Sequence, residues 1–276
     1  MVNTANTANT ANPANTATPV NPANNVLVTG AAGRIGACLT SGLPEYGHTL
    51  RLLDRTPMEH ERFEVICGDI ADPAVLDRAM KGVSAVVHLA GVPSTGATFE
   101  EALTANIEGT YHVMEAARQA GVERFVYASS NHAAGFTPRR ESVPADTPVA
   151  PDSHYGVSKA YGEALGRYYS DRYGMRVACL RIGTFEQRPP SPRALSTWLS
   201  PGDMVRLAHA CLTSSDLTYA VVWGVSANTR NWWDLSAGRA LGYEPVDDAE
   251  AYAAELAELD ASDPEYAWLG GRVVES

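Results

Sequence analysis

Short apolar runs alternate with stretches of helical periodicity along most of this chain. Strand candidates lie at 26–29, 49–53, 63–67, 85–90, 123–128 and 176–182, and helical patterns at 34–43, 73–81, 98–120 and 154–173. Runs rich in Val, Leu and Ile without polar alternation suit strands that are covered on both faces. Their alternation with helices predicts an α/β fold built on one parallel sheet, each strand returned by a helical crossover. On this reading residues 25–183 form the main unit and 184–276 a small C-terminal substrate-binding cap, within which the run 219–225 is able to return to the main sheet. Residues 1–24 follow neither period. They are a near-repeat of Asn, Thr, Ala and Pro with no charged side chain, the composition of a disordered tail.

In a parallel sheet of this kind, ligands collect at the carboxyl ends of the strands. That rule brings Gly30, Asp54, Asp69 and Ile70, Ala90 and Gly91, Ser129 and Ser130, and Gly183 and Thr184 toward one crevice. The first strand runs into Thr29-Gly30-Ala31-Ala32-Gly33-Arg34-Ile35-Gly36. Glycines there let the backbone approach a pyrophosphate, and the helix that follows offers unpaired N–H groups and a partial positive charge. Asp54, at the end of the second strand, stands about 20 residues on, where an acid binds ribose hydroxyls and repels a 2′-phosphate. The expected architecture is therefore a Rossmann-type doubly wound sheet, with NAD favoured over NADP. The adjacent Arg55 is the feature that argues the other way.

The helix expected at 154–173 carries Tyr155 and Lys159, four residues apart and so on one face. A free phenol titrates near ~10, so a neighbouring ammonium that favours the phenolate makes Tyr155 a usable base. Such spacing is common on solvated helix faces; what raises its weight here is the nucleotide fingerprint upstream.

Composition narrows the choices. The 276 residues are 45% hydrophobic, enough for one large core, yet no apolar run reaches the ~18 residues of a membrane span. A formal charge of −11 without a basic patch argues against nucleic acid, while leaving room for an anionic substrate held by a single arginine. Cys38, Cys67, Cys179 and Cys211 lack metal-ligand spacing, so no metal is expected; they read as thiols of a reducing compartment. The chain start lacks the basic and apolar stretches of a secretory signal, and a cytoplasmic location is expected.

Taken together, Thr29 to Gly36, Asp69-Ile70, His88 to Gly91, Asn106, Ser129-Ser130 and Tyr155-x-x-x-Lys159 resemble the extended short-chain dehydrogenase/reductase superfamily. Three further segments, 129–136, 193–198 and 224–234, are similar to uronate dehydrogenases, which oxidise the C1 hydroxyl of cyclic D-glucuronate or D-galacturonate to an aldarolactone while reducing NAD. The resemblance implies a catalytic set of Tyr155, Lys159, Ser130 and Asn106. It also implies a cofactor site of Gly30, Gly33, Arg34, Ile35, Gly36, Asp54, Asp69, Ile70, Leu89, Ala90, Gly91 and Ile182 together with the tyrosine and lysine. Tyr155 would take the hydroxyl proton, Lys159 would lower the tyrosine pKa and hold the nicotinamide ribose, and Ser130 would donate to the substrate oxygen. For Asn106, bracing a helix and a water chain and a purely structural role both stay open.

For the sugar acid, Arg193 is the first choice to clamp the carboxylate, because a guanidinium offers two parallel donors. Asn131 and His132 follow Ser130 directly and are expected to face sugar hydroxyls; Ser94 and Thr184 are further candidates. Trp268 either covers the sugar ring or is a core tryptophan. Arg34 stands where the family often has glutamine, with a role toward either pyrophosphate or substrate. Two other readings use the same scaffold: a nucleotide-sugar epimerase or dehydratase, which the short cap of about 93 residues disfavours, and a non-catalytic NAD sensor, which usually lacks the tyrosine and lysine. The superfamily habit of pairing through the helix of Tyr155 and its neighbour leads us to expect a homo-oligomer.

Overall fold

The computed structural model describes residues 25–256, 263 and 266–272; the tail expected at 1–24 and the far end of the acidic stretch 249–259 lie outside the described residues. The chain runs β1 (Asn25–Thr29), α1 (Arg34–Gly42), β2 (Thr49–Asp54), β3 (Glu64–Cys67), α2 (Pro73–Ala79), β4 (Ala85–His88), α3 (Phe99–Glu101), α4 (Gly109–Gln119), β5 (Arg124–Ser130) and α5 (His154–Tyr173). It continues through β6 (Arg176–Ile182), β7 (Thr184–Phe185), α6 (Ala194–Thr197), β8 (Trp198–Leu199), α7 (Pro201–Thr213), β9 (Tyr219–Gly224) and α8 (Ser236–Ala240). Seven strands make one sheet in the order β3-β2-β1-β4-β5-β6-β9, with every neighbouring pair parallel. The α/β doubly wound architecture read from the hydrophobic pattern is the observed one.

Side chains leave successive strand residues on opposite faces, and the buried core divides accordingly. Val26, Val28, Ala85, Val87, Val126, Ala178 and Leu180 meet Leu39 of α1 and Met204, Leu207 and Cys211 of α7. Leu27, Val86, Phe125, Tyr127, Val177 and Cys179 meet Leu76 of α2, Val113 and Met114 of α4, and Tyr169 of α5. Both faces being covered explains why the strands read as unbroken apolar runs. At the edge of the sheet β9 pairs with β6 from Val177↔Tyr219 to Ile182↔Gly224. Residues after 183 thus supply the sheet with its last strand and, in α7, a helix packed on α1. Others of them, Trp223, Trp232, Trp233, Leu235 and Leu269, gather in a separate apolar cluster with Ala134 and Val143.

Two elements differ from the pattern. The helix expected over 98–120 starts with a capping box between Thr98 and Glu101, and then opens into a π-helical stretch over Ala102–Glu108 before α4 begins. The wider turn seats Asn106 against the loop after β4, as described below; apolar spacing cannot report one extra residue per turn. The strand expected over 123–128 extends to Ser130, because β6 keeps pairing up to Ser130↔Ile182. That extension carries both serines into the sheet.

α5 has sharp ends. Ser153 accepts the Gly156 N–H at 3.0 Å as its N-cap, and Gly174 closes the other end with φ +73°. Gly162 lets this helix lie close to the sheet: a Cβ there would sit 2.2 Å from the Tyr127 ring. Glu163 on the same helix makes a buried two-pronged pair with Arg181 of β6, at 2.9 and 2.8 Å, and also accepts from Ser129 at 2.6 Å. Arg181 further donates to the carbonyls of Ala145 and Thr147, so one buried network sets the depth of α5 and ties down the loop that leads into it.

Candidate active site

The carboxyl ends of the strands open on a cavity of about 820 Å³. One wall is backbone. Gly30 leaves β1 with φ +72°, a conformation that costs side-chain residues energy, and a Cβ there would meet Ala90 N at 2.7 Å. Gly33 N donates to Gly30 O at 3.1 Å, closing the turn that starts α1. No side chain caps that helix start, which leaves its first amides directed at the cavity. Gly36 lies one turn further on, so tightly set that a Cβ would be 2.4 Å from Gly30 O and 2.5 Å from Ala31 O. Such a cradle fits a pyrophosphate.

The neighbouring strand ends complete that wall. Asp54 accepts from Ala32 N at 2.9 Å and from Thr56 N at 2.8 Å, which fixes its carboxylate beside the glycine turn. Asp69 accepts from Ala71 N at 2.8 Å and holds Ile70 against the cavity. Arg34, Ile35, Arg55, Leu89, Ala90 and Gly91 line the same space. Arg34 forms an ion pair with Glu186, bridging the glycine turn and the segment after β7. Beneath the wall, His88 is fully buried between the hydroxyls of Thr29 (2.7 Å) and Thr110 (3.2 Å). Burial, with the Lys159 charge adding to it, pushes its pKa down to about 3, so the imidazole is neutral.

The opposite wall is made of side chains. Tyr155 and Lys159 share one face of α5, with the Lys159 ammonium 5.4 Å from the tyrosine ring centre. Lys159 Nζ donates to Ala128 O at 2.8 Å and is otherwise buried, which lowers its pKa to about 8. Burial raises the Tyr155 phenol above its usual range, and a hydrogen bond with the Ser130 hydroxyl pulls it partly back. Ser130 is thus the group that favours the phenolate. Asn106, from the π-helical turn, accepts from Val92 N at 2.7 Å and donates to Val92 O at 3.2 Å and to Ser158 Oγ at 2.9 Å. Ser158 Oγ in turn donates to Tyr155 O at 2.7 Å. Asn106 therefore braces the loop after β4 against the helix that carries the tyrosine.

Ser94, Asn131 and His132 also line the cavity, whereas Thr184, Arg193 and Trp268 stand outside its lining. Thr184 shares a hydrogen bond with Thr197 at 2.8 Å, while its neighbours Gly183 and Phe185 reach the space. Arg193 lies behind Asn131: its guanidinium donates to Leu269 O at 2.6 Å and lies 5.8 Å from the Trp232 ring centre, and Asn131 Nδ2 donates to that same carbonyl at 2.8 Å. Trp268 bridges to Pro138 and packs edge-on against Phe136. Sequence reasoning passed over Asp152, whose fully covered side chain receives His132 Nδ1 at 2.8 Å. An acid two residues before a helix start reads as routine charge complementarity, so only its pairing gives it away. Among the described residues no group of three or more His, Cys, Asp or Glu side chains is placed to hold a metal, and no helix is long and apolar enough to cross a membrane.

The sequence matches the model of the NAD dependent epimerase/dehydratase family over residues 26–225. It is 42% identical to a uronate dehydrogenase of Pseudomonas syringae pv. tomato, covering 92% of this chain and 94% of that protein. It is 40% identical to the uronate dehydrogenase of Agrobacterium fabrum, covering 91% and 97%. The crystal structure of a mutant uronate dehydrogenase from Agrobacterium tumefaciens complexed with NAD superposes with a TM-score of 0.85 at 39% identity, again over 91% of this chain and 97% of that one. The chain thus belongs to the NAD dependent epimerase/dehydratase family and, within it, to the family of the uronate dehydrogenases.

Proposed function

We propose that this protein oxidises the C1 hydroxyl of a cyclic uronate, D-glucuronate or D-galacturonate, to the aldarolactone with NAD as the acceptor. The observation that carries this reading is the shared face of Tyr155 and Lys159, hydrogen-bonded to Ser130 and Ala128 at the strand ends and looking across one cavity at the glycine turn. When bound, NAD supplies a nicotinamide ring that accepts the C1 hydride. Gly30, Gly33 and Gly36 admit its pyrophosphate to the α1 amides, and Asp54 receives a ribose hydroxyl pair and disfavours a 2′-phosphate. Lys159 holds the nicotinamide ribose.

Tyr155, as phenolate, takes the proton from the anomeric hydroxyl as the hydride leaves C1, and Ser130 donates to the same substrate oxygen. The lysine, its pKa brought down to about 8 by burial, is able to pass that proton on near neutral pH. Asn131 and His132 address the sugar hydroxyls, with Ser94 across from them. For the carboxylate we assign Arg193, whose planar donor set suits the role; it stands just outside the cavity lining, next to Asn131 on the Leu269 carbonyl.

Purified protein with NAD and, separately, glucuronate, galacturonate, glucose and galactose tests this by absorbance of NADH. Fast reduction with both uronates and little with the neutral sugars is the expected result. Silence with every sugar acid despite NAD binding sinks the reading and favours nucleotide-sugar epimerisation.

We also place the protein in the cytoplasm, consistent with four free cysteines. A homo-oligomer is supported by exposed Tyr111 on α4 and Val157, Tyr168 and Tyr173 on α5, an apolar surface that a second copy would cover.

A further inference from the structure

We infer that Asp152 is a positioning residue that fixes the tautomer of His132, so that His132 presents a bare Nε2 acceptor to a sugar hydroxyl and turns the substrate carboxylate away. This inference rests on the proposed uronate oxidation.

A carboxylate only accepts hydrogen bonds, so the 2.8 Å contact with Asp152 Oδ2 requires the proton on Nδ1. In the singly protonated ring this puts the lone pair on Nε2, the one ring nitrogen left for substrate. The His132 backbone N–H donates to Ser130 Oγ at 3.2 Å, fixing the main chain there, and the ring meets that of Tyr155 edge-on at 6.1 Å between centres. A lone pair accepts from a hydroxyl and repels a carboxylate, which sorts the two kinds of group on the sugar between His132 and the arginine behind Asn131.

Asp152 itself is built in. Its side chain is completely covered. Ser153 Oγ donates to Oδ1 at 3.1 Å, since a carboxylate has no proton to offer, while the same hydroxyl accepts from Gly156 N. Two glycines from distant parts of the chain make room for Oδ2: a Cβ on Gly135 would lie 1.9 Å from it and a Cβ on Gly270 1.8 Å. Neither glycine has a positive φ, so space rather than backbone conformation accounts for them. The carboxylate thus joins the turn after β5, the start of α5 and the C-terminal loop at the point where His132 enters the cavity.

Asp152→Asn keeps the shape and reverses the hydrogen-bond logic. With Ser153 still donating to Oδ1, the amide N–H₂ faces His132 Nδ1 and drives the ring proton to Nε2, an orientation that the His132 spectrum reads directly. The test is uronate kinetics for Asp152→Asn, His132→Ala and the double variant, with NAD affinity and melting temperature measured alongside. ¹⁵N-histidine spectra of wild type and Asp152→Asn complete it, the His132 signal being identified by its loss in His132→Ala. We expect the Asp152→Asn KM for glucuronate to rise about tenfold or more with kcat changed less, NAD affinity unchanged, and no further loss when it is added to His132→Ala. We also expect the His132 proton to move from Nδ1 to Nε2. Wild-type KM in Asp152→Asn, effects that add fully in the double variant, or a proton on Nε2 in the wild type, as the other tautomer or as the imidazolium, each overturn the inference. If the wild type oxidises no uronate, the proposed function fails, while the spectra still decide the tautomer.

Discussion

The two walls of the cavity are made of different materials. The cofactor wall is backbone: Gly30, Gly33 and Gly36 within seven residues, with Asp54 hydrogen-bonded to the same turn. The wall proposed for substrate is side chains, Ser130, Asn131 and His132 after β5 and Tyr155 and Lys159 on α5, backed from outside the lining by Asp152, Arg193 and the Leu269 carbonyl. Even their histidines contrast, His88 held neutral by burial between two hydroxyls and His132 held by a carboxylate. A wall made of close backbone approaches tolerates no added atom. A side-chain wall fails one contact at a time, which lets substrate preference change while the cofactor site stays as it is.

The largest expected effect is on the reaction itself. Tyr155→Phe should lower kcat by roughly 10²–10⁴-fold, the usual worth of a positioned proton acceptor, with NAD affinity retained. Because burial raises the phenol, wild-type kcat/KM should climb toward alkaline pH, and the variant's residual rate should be flat over the same range. A variant that keeps a tenth of the wild-type rate removes the tyrosine from the mechanism.

Next come two glycines, one per wall. In Gly36→Ala the new methyl meets two backbone carbonyls of the cradle, which should cost about 1–3 kcal/mol of stability and weaken NAD at least as strongly. In Gly270→Ala the methyl meets Asp152, so the KM for uronate should rise about tenfold while the NAD Kd stays put. Should Gly270→Ala weaken NAD as much as it weakens uronate, the walls are not independent.

The buried histidine of the cofactor wall gives a smaller, pH-dependent effect. The unfolded chain takes up its proton near ~6.5, while folded His88 resists down to about 3. Its contribution is therefore complete above ~6.5 and is lost as the pH falls toward 3, amounting to about 2 kcal/mol by pH 5. In His88→Gln the drop in melting temperature between pH 7 and pH 5 should be visibly shallower than in the wild type; equal slopes would remove His88 as a source of acid lability.

The mildest change is Arg193→Lys, which keeps the charge but loses the planar fork. It should raise the KM for uronates about tenfold and leave NAD binding alone. An unchanged KM would move the carboxylate elsewhere in the substrate wall, with Arg34 as the next residue to vary.

The amino-acid sequence by itself determined the parallel sheet, its strand ends, the glycine cradle with Asp54, and the pairing of Tyr155 with Lys159. Each of these depends on residues close in the chain, where a period of 2.0 or 3.6 or a glycine spacing translates directly into shape. It also put Asn131 and His132 beside Ser130, because neighbours in sequence stay neighbours. Only the tertiary structure decided that β9 closes the sheet, that a π-helical turn brings Asn106 onto both Val92 and Ser158, and that Asp152 stands behind His132. It alone put Arg193 and Asn131 on the one carbonyl of Leu269, 76 and 138 residues away. Those contacts arise where separate segments fold against one another, and no local period or spacing records which carbonyl or carboxylate a distant donor will meet.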